Sequence, residues 1–464
     1  MGSFQTPISR RRALQIGAAV PFAVLAACNE PPRSSESPTQ ALGSPSATLA
    51  PTPSSSAVPT ATAQAAATLA PPARVLYRDA ALADGRSASL QRGISILVEG
   101  GRVSWIRPRS GEEDPGDAEI VDASGATIVP GMVDAHSHVT NPGGAHWIER
   151  FADRPERLVA YAEANAQLAW NAGIRWFRDV GSPTRPDPVD GRDRALAIGL
   201  RDRWRGRPGY PAIRAAGTWI TRPGTLPAGL TLEARNADEL LGFALRQLDD
   251  GADLVKLYLD GPDASVAPWS VAEVRRVVEA VHARSAQVTA HSGILAGAHV
   301  AADAGVDAIE HGFVLDDSGA AAMAANGVKL ISTLTVFRSW ETFGQTTSLP
   351  FFAGERGSAS IRDRLALAEV SLLAARAAGV AISAGTDFGG GSGRANQLAW
   401  EVESLVAAGL EPVEALAAAT WQGGELLGEP DAGVIREGGP ADFFLVHGDP
   451  LTDPAALWRV WRHA

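Results

Sequence analysis

The sequence predicts an α/β fold, a (β/α)8 TIM barrel with a small β-sandwich-like domain built from both chain ends. Three observations predict it. Residues 75–128 read as strands, with no helix-length periodic run between them. From about residue 131, short β-branched or apolar runs alternate with amphipathic stretches, and eight such alternations over about 290 residues fit the barrel's repeat. Residues 441–446 are again an apolar strand, placed to return to the N-terminal sheet.

The first segment reads as an address and not as structure. Arg10, Arg11 and Arg12 precede an apolar stretch over residues 16–27, with no acidic residue before it. That order is the n-region and h-region of an export signal, too short to remain as a spanning helix. The arginines after Ser9 resemble a twin-arginine signal. Cys28, the chain's only cysteine, follows Leu25-Ala26-Ala27 and resembles a bacterial lipobox, in which the cysteine is acylated. A small-residue cleavage site beside a chance cysteine is the plainer alternative. Acylation would tether the protein to a membrane surface without a span, making it an extracytoplasmic, anchored lipoprotein.

Residues 34–72 hold little but Pro, Ser, Thr and Ala, with Glu36 the one charge and no aromatic. Such a composition cannot offset its ordering entropy, so a disordered stalk is expected. The expected organisation is an export signal with lipobox over 1–28 and the stalk over 29–72. The N-terminal part of the small β domain follows over 73–130, the barrel over 131–430, and the C-terminal part of the small domain over 431–464.

Composition narrows the function classes. Lys and Arg number 41 against 52 Asp and Glu, a formal charge of −11. That balance argues against a nucleic-acid partner, which calls for basic patches. Hydrophobic residues at 45% and charged residues at 20% fit a chain that buries an ordinary core. No internal run of about 18 apolar residues is present to span a bilayer, and one cysteine excludes a disulfide framework.

In the N-terminal part, residues 94–98 and 102–106 flank Glu99-Gly100-Gly101, a hairpin signal. The eight expected barrel strands cover residues 128–139, 174–180, 212–217, 253–259, 287–291, 306–311, 329–333 and 380–387. Between two of them Val271, Val274, Val277, Val278 and Val281 recur at helical spacing among charged residues.

Polar residues gather at the ends of these strands. Residues i and i+2 of a strand share a face, so His136 and His138 both look into the barrel mouth. Two converging imidazoles are zinc-type ligation, although His-x-His alone is equally a polar strand end. His291, His311 and Asp387 each end a run, and Lys256 lies within an apolar one. The ends of barrel strands surround one mouth, where active sites lie. From His138 it is 118 residues to Lys256, then 35 to His291, 20 to His311 and 76 to Asp387. At roughly 30 to 40 residues per unit, the set falls on strands one, four, five, six and eight.

Other residues are weaker candidates. Tyr258 shares the face of Lys256 and is either a donor to a developing oxyanion or a core tyrosine. His146, in the loop after the first strand, is a candidate substrate contact. Arg222, Arg338 and Arg394 lie in candidate mouth loops, where a guanidinium can clamp a carboxylate. Residues 389–393, Gly-Gly-Gly-Ser-Gly, read as a mobile loop and not as a phosphate loop, since no Gly-Lys-Ser/Thr follows.

Together these residues resemble the amidohydrolase superfamily, in the branch of prolidase-like and imidazolonepropionase-related enzymes. The matching residues are Pro130-Gly131-Met132-Val133-Asp134-Ala135-His136-Ser137-His138, Arg178-Asp179-Val180-Gly181, Lys256, Ala290-His291, Ile309-Glu310-His311-Gly312, Gly385-Thr386-Asp387 and Gly439-Pro440-Ala441-Asp442. The resemblance covers residues 73–464. One departure is that family members often carry a further strand of the small domain, whereas this chain stops soon after Trp461.

The resemblance implies that His136, His138 and Asp387 hold one divalent metal and His291 and His311 a second. Lys256, carboxylated by carbon dioxide, would bridge the two ions. Zinc is the expected metal, and the same donors suit manganese, iron or cobalt. A lysine among apolar neighbours has a depressed pKa, so its neutral amine can react; a buried lysine paired to a carboxylate is the other reading. Asp387 would take a proton from the attacking water and pass it to the leaving nitrogen.

The implied activity is hydrolysis of amide or other C–N bonds in small-molecule substrates, dipeptides or N-acyl amino acids above all. A single-metal cyclic-amide hydrolase or deaminase of the same superfamily is the nearest alternative, and Lys256 turns the reading away from it. A non-catalytic solute-binding lipoprotein is a distant third, having no need of metal-ligand types converging on strand ends.

Overall fold

The structure, a computed structural model, describes residues 74–227 and 229–464. The expected export signal, Cys28 and the stalk lie outside the described residues. The N-terminal stretch folds as β1 (Arg74–Leu82), β2 (Gln91–Glu99), β3 (Arg102–Pro108), β4 (Glu119–Asp122) and β5 (Ala126–Pro130). The β2–β3 hairpin turns on Gly100 and Gly101, whose φ angles are 56° and 75°. Two successive left-handed residues are what a tight two-residue turn needs, and glycine adopts them without a Cβ clash.

All eight expected barrel strands are present. They are β6 (Met132–Ser137), β7 (Ile174–Asp179), β10 (Ala212–Ala215), β13 (Leu254–Tyr258), β14 (Gln287–Ser292), β15 (Ala308–His311), β16 (Lys329–Ser332) and β17 (Ile382–Ala384). Short pieces that periodicity could not reveal lie among them. These are the hairpin of β8 (Thr184–Pro186) and β9 (Asp193–Ala195), and the two-residue strands β11 (Ile220–Thr221) and β12 (Leu232–Glu233).

The strands β6, β7 and β10 form one parallel sheet, and β13 to β17 run parallel in sequence order in a second. Bridges Ala216↔Leu254 and Ser137↔Phe388 link the two sheets at both edges, a TIM-barrel-like arrangement. The helix Val271–His282 shows how the outer layer packs. Ser270 and Glu273 cap it reciprocally, and Val274, Val277, Val278 and Val281 are buried against the strands.

The C-terminal strands β18 (Phe443–His447) and β19 (Val460–His463) return to the N-terminal sheet, where β18 pairs antiparallel with β5 and β19 with β18. Trp461 thus lies in a strand. The seven strands from the two chain ends are hydrogen-bonded as one sheet, where a sandwich-like arrangement was expected. The reason is β1, which pairs with β4 over Val75–Arg78, with β5 over its last two residues and with β2 along its other edge. Arg175 of β7 fastens this sheet to the TIM-barrel-like body: its Nε is 3.1 Å from Asp442 and its Nη2 donates to His463 Nδ1 at 2.9 Å. Among the described residues, no helix is long and apolar enough to cross a membrane.

Candidate metal centre

The ends of β6, β13, β14 and β15 and the residues after β17 bring the sequence candidates into one buried cluster. Ring centroids are 5.3 Å apart for His136 and His138, 4.5 Å for His136 and His311, and 4.7 Å for His291 and His311. Asp387 Oδ1 lies between two imidazoles, 3.2 Å from His136 Nε2 and 3.3 Å from His138 Nε2. Ligand atoms of His136, His311 and Asp387 all fall within 4.8 Å of one another. Tyr258 stacks on His291 with centroids 4.2 Å apart, as their pairing across β13 and β14 requires.

Each imidazole has one ring nitrogen occupied by a neighbour. His136 Nδ1 donates to Glu310 Oε2 at 2.6 Å, and His138 Nδ1 donates to the Gly181 carbonyl at 2.7 Å. His291 Nε2 donates to Asp260 Oδ2 at 3.1 Å, and His311 Nδ1 bonds the Thr333 hydroxyl at 2.7 Å. The remaining nitrogen of each ring is the one left for ligation. Such outer partners fix the tautomer and raise ligand basicity.

Backbone geometry completes the aim. His311 and Asp387 adopt φ angles of 68° and 51°, in the left-handed region that non-glycine residues seldom occupy. Such residues persist where surrounding structure enforces them, and they cluster at functional sites. Asp134 enforces part of it: it accepts from the Thr386 amide at 2.9 Å, the Thr386 hydroxyl at 2.7 Å and the His136 amide at 3.3 Å, tying β6 to the β17 end. Gly390 leaves the needed space, since a Cβ there would sit 2.1 Å from His138 Cδ2 and 2.5 Å from Asp387 Oδ1.

The electrostatics suit a cation site. Burial pushes the Lys256 ammonium down to about 8, against the pull of Glu310. Among the described residues nothing hydrogen-bonds or ion-pairs with Lys256, which is 1% exposed. Burial and the neighbouring His136 and His291 hold His311 well below the ordinary imidazole range, so it is neutral at pH 7, the form that binds metal. Burial raises Asp387, but His136, His138 and His311 outweigh it and keep the carboxyl well below its usual range. Burial, then Asp387 and Asp260, push the Tyr258 phenol up, so it stays a protonated donor. Four oriented imidazoles, a carboxylate and an unpartnered buried amine fit divalent cations.

The weaker candidates have other neighbours. His146 is a surface residue, more than half exposed, and its Nδ1 pairs with Glu149 at 3.1 Å. Residues 389–393 are mostly buried, because Gly391 bonds back to Asp387 at 2.7 Å and Ser392 accepts from the Gly144 amide at 2.9 Å. The packed neighbours hold this segment where a mobile loop was expected. The three mouth-loop arginines have other partners. Arg222 donates to Pro268 O and lies 4.0 Å from the Trp269 ring, Arg338 pairs with Glu369, and Arg394 donates to Pro142 O. Sequence reasoning assigned nothing to Glu310, Asp260 or Thr333. Glu310 and Asp260 are acids beside candidate ligand strands, which was the available signal; Thr333 carried none.

Comparisons with known proteins give the family. The Amidohydrolase family model matches residues 127–461. An uncharacterized protein of Mycobacterium tuberculosis is 29% identical over 371 residues, covering 79% of this chain and 91% of that protein. Imidazolonepropionase of Anaeromyxobacter sp. is 28% identical over 420 residues, covering 81% of this chain and 90% of the enzyme. A crystal structure of a Xaa-Pro dipeptidase with methionine bound in its active site superposes with a TM-score of 0.70 at 25% identity, over 83% of this chain and 97% of that one.

Proposed function

The chain belongs to the amidohydrolase family, and from that premise we propose that it is a binuclear metal-dependent hydrolase of amide or other C–N bonds. Its first substrates on this reading are small dipeptides or N-acyl amino acids. The observation that carries it is Lys256, a buried amine with no hydrogen-bond partner among the described residues, beside four imidazoles that each have one ring nitrogen held by an outer partner. In this reading His136, His138 and Asp387 would hold one ion and His291 and His311 the other, and Lys256, once carboxylated, would add an anionic oxygen ligand. Two such ions, zinc by choice of donors, supply Lewis acidity and lower the pKa of water.

The chain's own groups do the rest. Asp387 takes the proton from the attacking water at a carboxylate oxygen and delivers it to the leaving nitrogen. The Tyr258 hydroxyl donates to the oxygen on which charge develops. The links Ala216↔Leu254 and Ser137↔Phe388 are read as the seams of a closed (β/α)8 barrel, which holds these groups at fixed separations. The single-metal reading draws on the compact His136, His311 and Asp387 trio; the unpartnered Lys256 tells against it. The tether belongs to the same proposal: export of the folded protein and acylation at Cys28, checked by mass spectrometry of the mature N-terminus. A terminus other than modified Cys28 would remove the anchor.

The test is a panel of dipeptides and N-acyl amino acids offered to metal-reconstituted protein. Hydrolysis is expected, and Asp387→Asn is expected to lose about 100- to 10,000-fold in turnover. A metal-loaded protein that cleaves no C–N bond in the panel would overturn the reading.

A further inference from the structure

An unbroken row of aromatic rings leads away from the histidines. Phe313, two residues beyond His311, has its ring 4.9 Å from that imidazole. Phe337 follows at 4.5 Å from Phe313, and Trp340 at 5.4 Å from Phe337. Trp340 then meets Trp147, stacked at 5.9 Å, and Phe351, edge-on at 5.0 Å. These residues come from the connections that follow β6, β15 and β16, so all lie on the strand ends that carry the cluster. Phe313 and Phe337 are buried, whereas Trp147, Trp340 and Phe351 are partly exposed. The row is therefore closed at the histidines and open to solvent at its far end.

Charge is arranged differently. The chain has two lysines, Lys256 in the cluster and Lys329 at the start of β16, the opposite end of the strands. The mouth-loop arginines Arg222, Arg338 and Arg394 are already engaged with Pro268, Glu369 and Pro142. Each of these three arginines is thus already tied to a neighbour, and the contact that the row itself supplies at this mouth is apolar.

Resting on the metal-hydrolase reading above, we propose that this row is the specificity wall of the site. The substrate lays an aromatic group against Trp147, Trp340 and Phe351, and it is recognised by that ring and not by a carboxylate. Burial of one ring on such a wall corresponds to about 10- to 100-fold in affinity.

The test uses three metal-binding probes on the metal-reconstituted full chain, measured by calorimetry: acetohydroxamic acid, 3-phenylpropanohydroxamic acid and succinic monohydroxamic acid. The phenyl probe is expected to bind at least tenfold tighter than acetohydroxamate, and the carboxylate probe to gain nothing. Trp340→Ala and, at the more exposed end, Phe351→Ala are each expected to shrink the phenyl gain below threefold. A phenyl gain near one in the wild type, a gain unchanged in both variants, or tighter binding of the carboxylate probe would overturn the wall. Failure of acetohydroxamate itself to bind would overturn the metal-hydrolase reading, and the wall with it.

Discussion

Glu310 sits at the convergence of the site's outer contacts. Its Oε1 accepts from Arg178 Nη1 at 2.6 Å and from the Thr289 hydroxyl, and its Oε2 accepts from His136. Burial raises its pKa, but Arg178, Lys256 and His136 outweigh that and keep it ionised. An ionised carboxylate on Nδ1 leaves His136 Nε2 as the nitrogen that would bind a metal in the proposed site. Glu310→Gln is therefore expected to weaken metal binding by about 10- to 100-fold, read as the metal concentration needed for half occupancy. Unchanged metal affinity would remove Glu310 from the site. The sequence could not place both Glu310 and His311 in the site, because strand neighbours point to opposite faces. The left-handed backbone at His311 breaks that alternation, and nothing local in Ile309-Glu310-His311-Gly312 announces it. His136 and His138 were legible because they obey the two-residue period.

Among the elements, the turn between β16 and the helix Thr335–Thr346 illustrates control at long range. Glu401, fully buried on the helix Leu398–Ala408, accepts from Ser332 Oγ at 2.7 Å, the Leu334 amide at 3.0 Å, the Thr335 amide at 2.7 Å and the Thr335 hydroxyl. That turn carries Thr333, which orients His311. Glu401→Ala would leave two buried amides unpaired, at about 1–3 kcal/mol each. Denaturant unfolding should show a loss of about 2–6 kcal/mol, and a change below about 0.5 kcal/mol would contradict the anchoring role. The eight strands and the Gly100-Gly101 hairpin were legible because their signals are local. The helix start braced from 66 residues away was not, and neither were the two-residue strands β11 and β12, too short to show a period.

At the scale of the whole molecule, the C-terminal segment meets the TIM-barrel-like body at Arg175. Burial, then Arg175, holds His463 down to about 4. A folded-state value below the ordinary 6.5 means that this stabilisation is present above about pH 6.5 and is lost as pH falls toward 4. Asp442 runs the other way: burial pushes it up to about 6, so its contribution is lost as pH rises through that value. The variant isolates the histidine. His463→Gln should show a smaller fall in Tm between pH 7 and pH 5 than the wild type, and an equal fall would show that this junction does not sense acid.

The proposed binuclear site would draw on every level at once: Lys256 on one strand, imidazoles from three others and Asp387 after the last. Metal content per chain tests it most directly, measured by elemental analysis after reconstitution with excess metal and bicarbonate. Two ions per chain are expected in the wild type, and one or fewer in Lys256→Ala. A wild-type chain that saturates at one ion, or a Lys256→Ala chain that keeps two, would contradict the bridged pair.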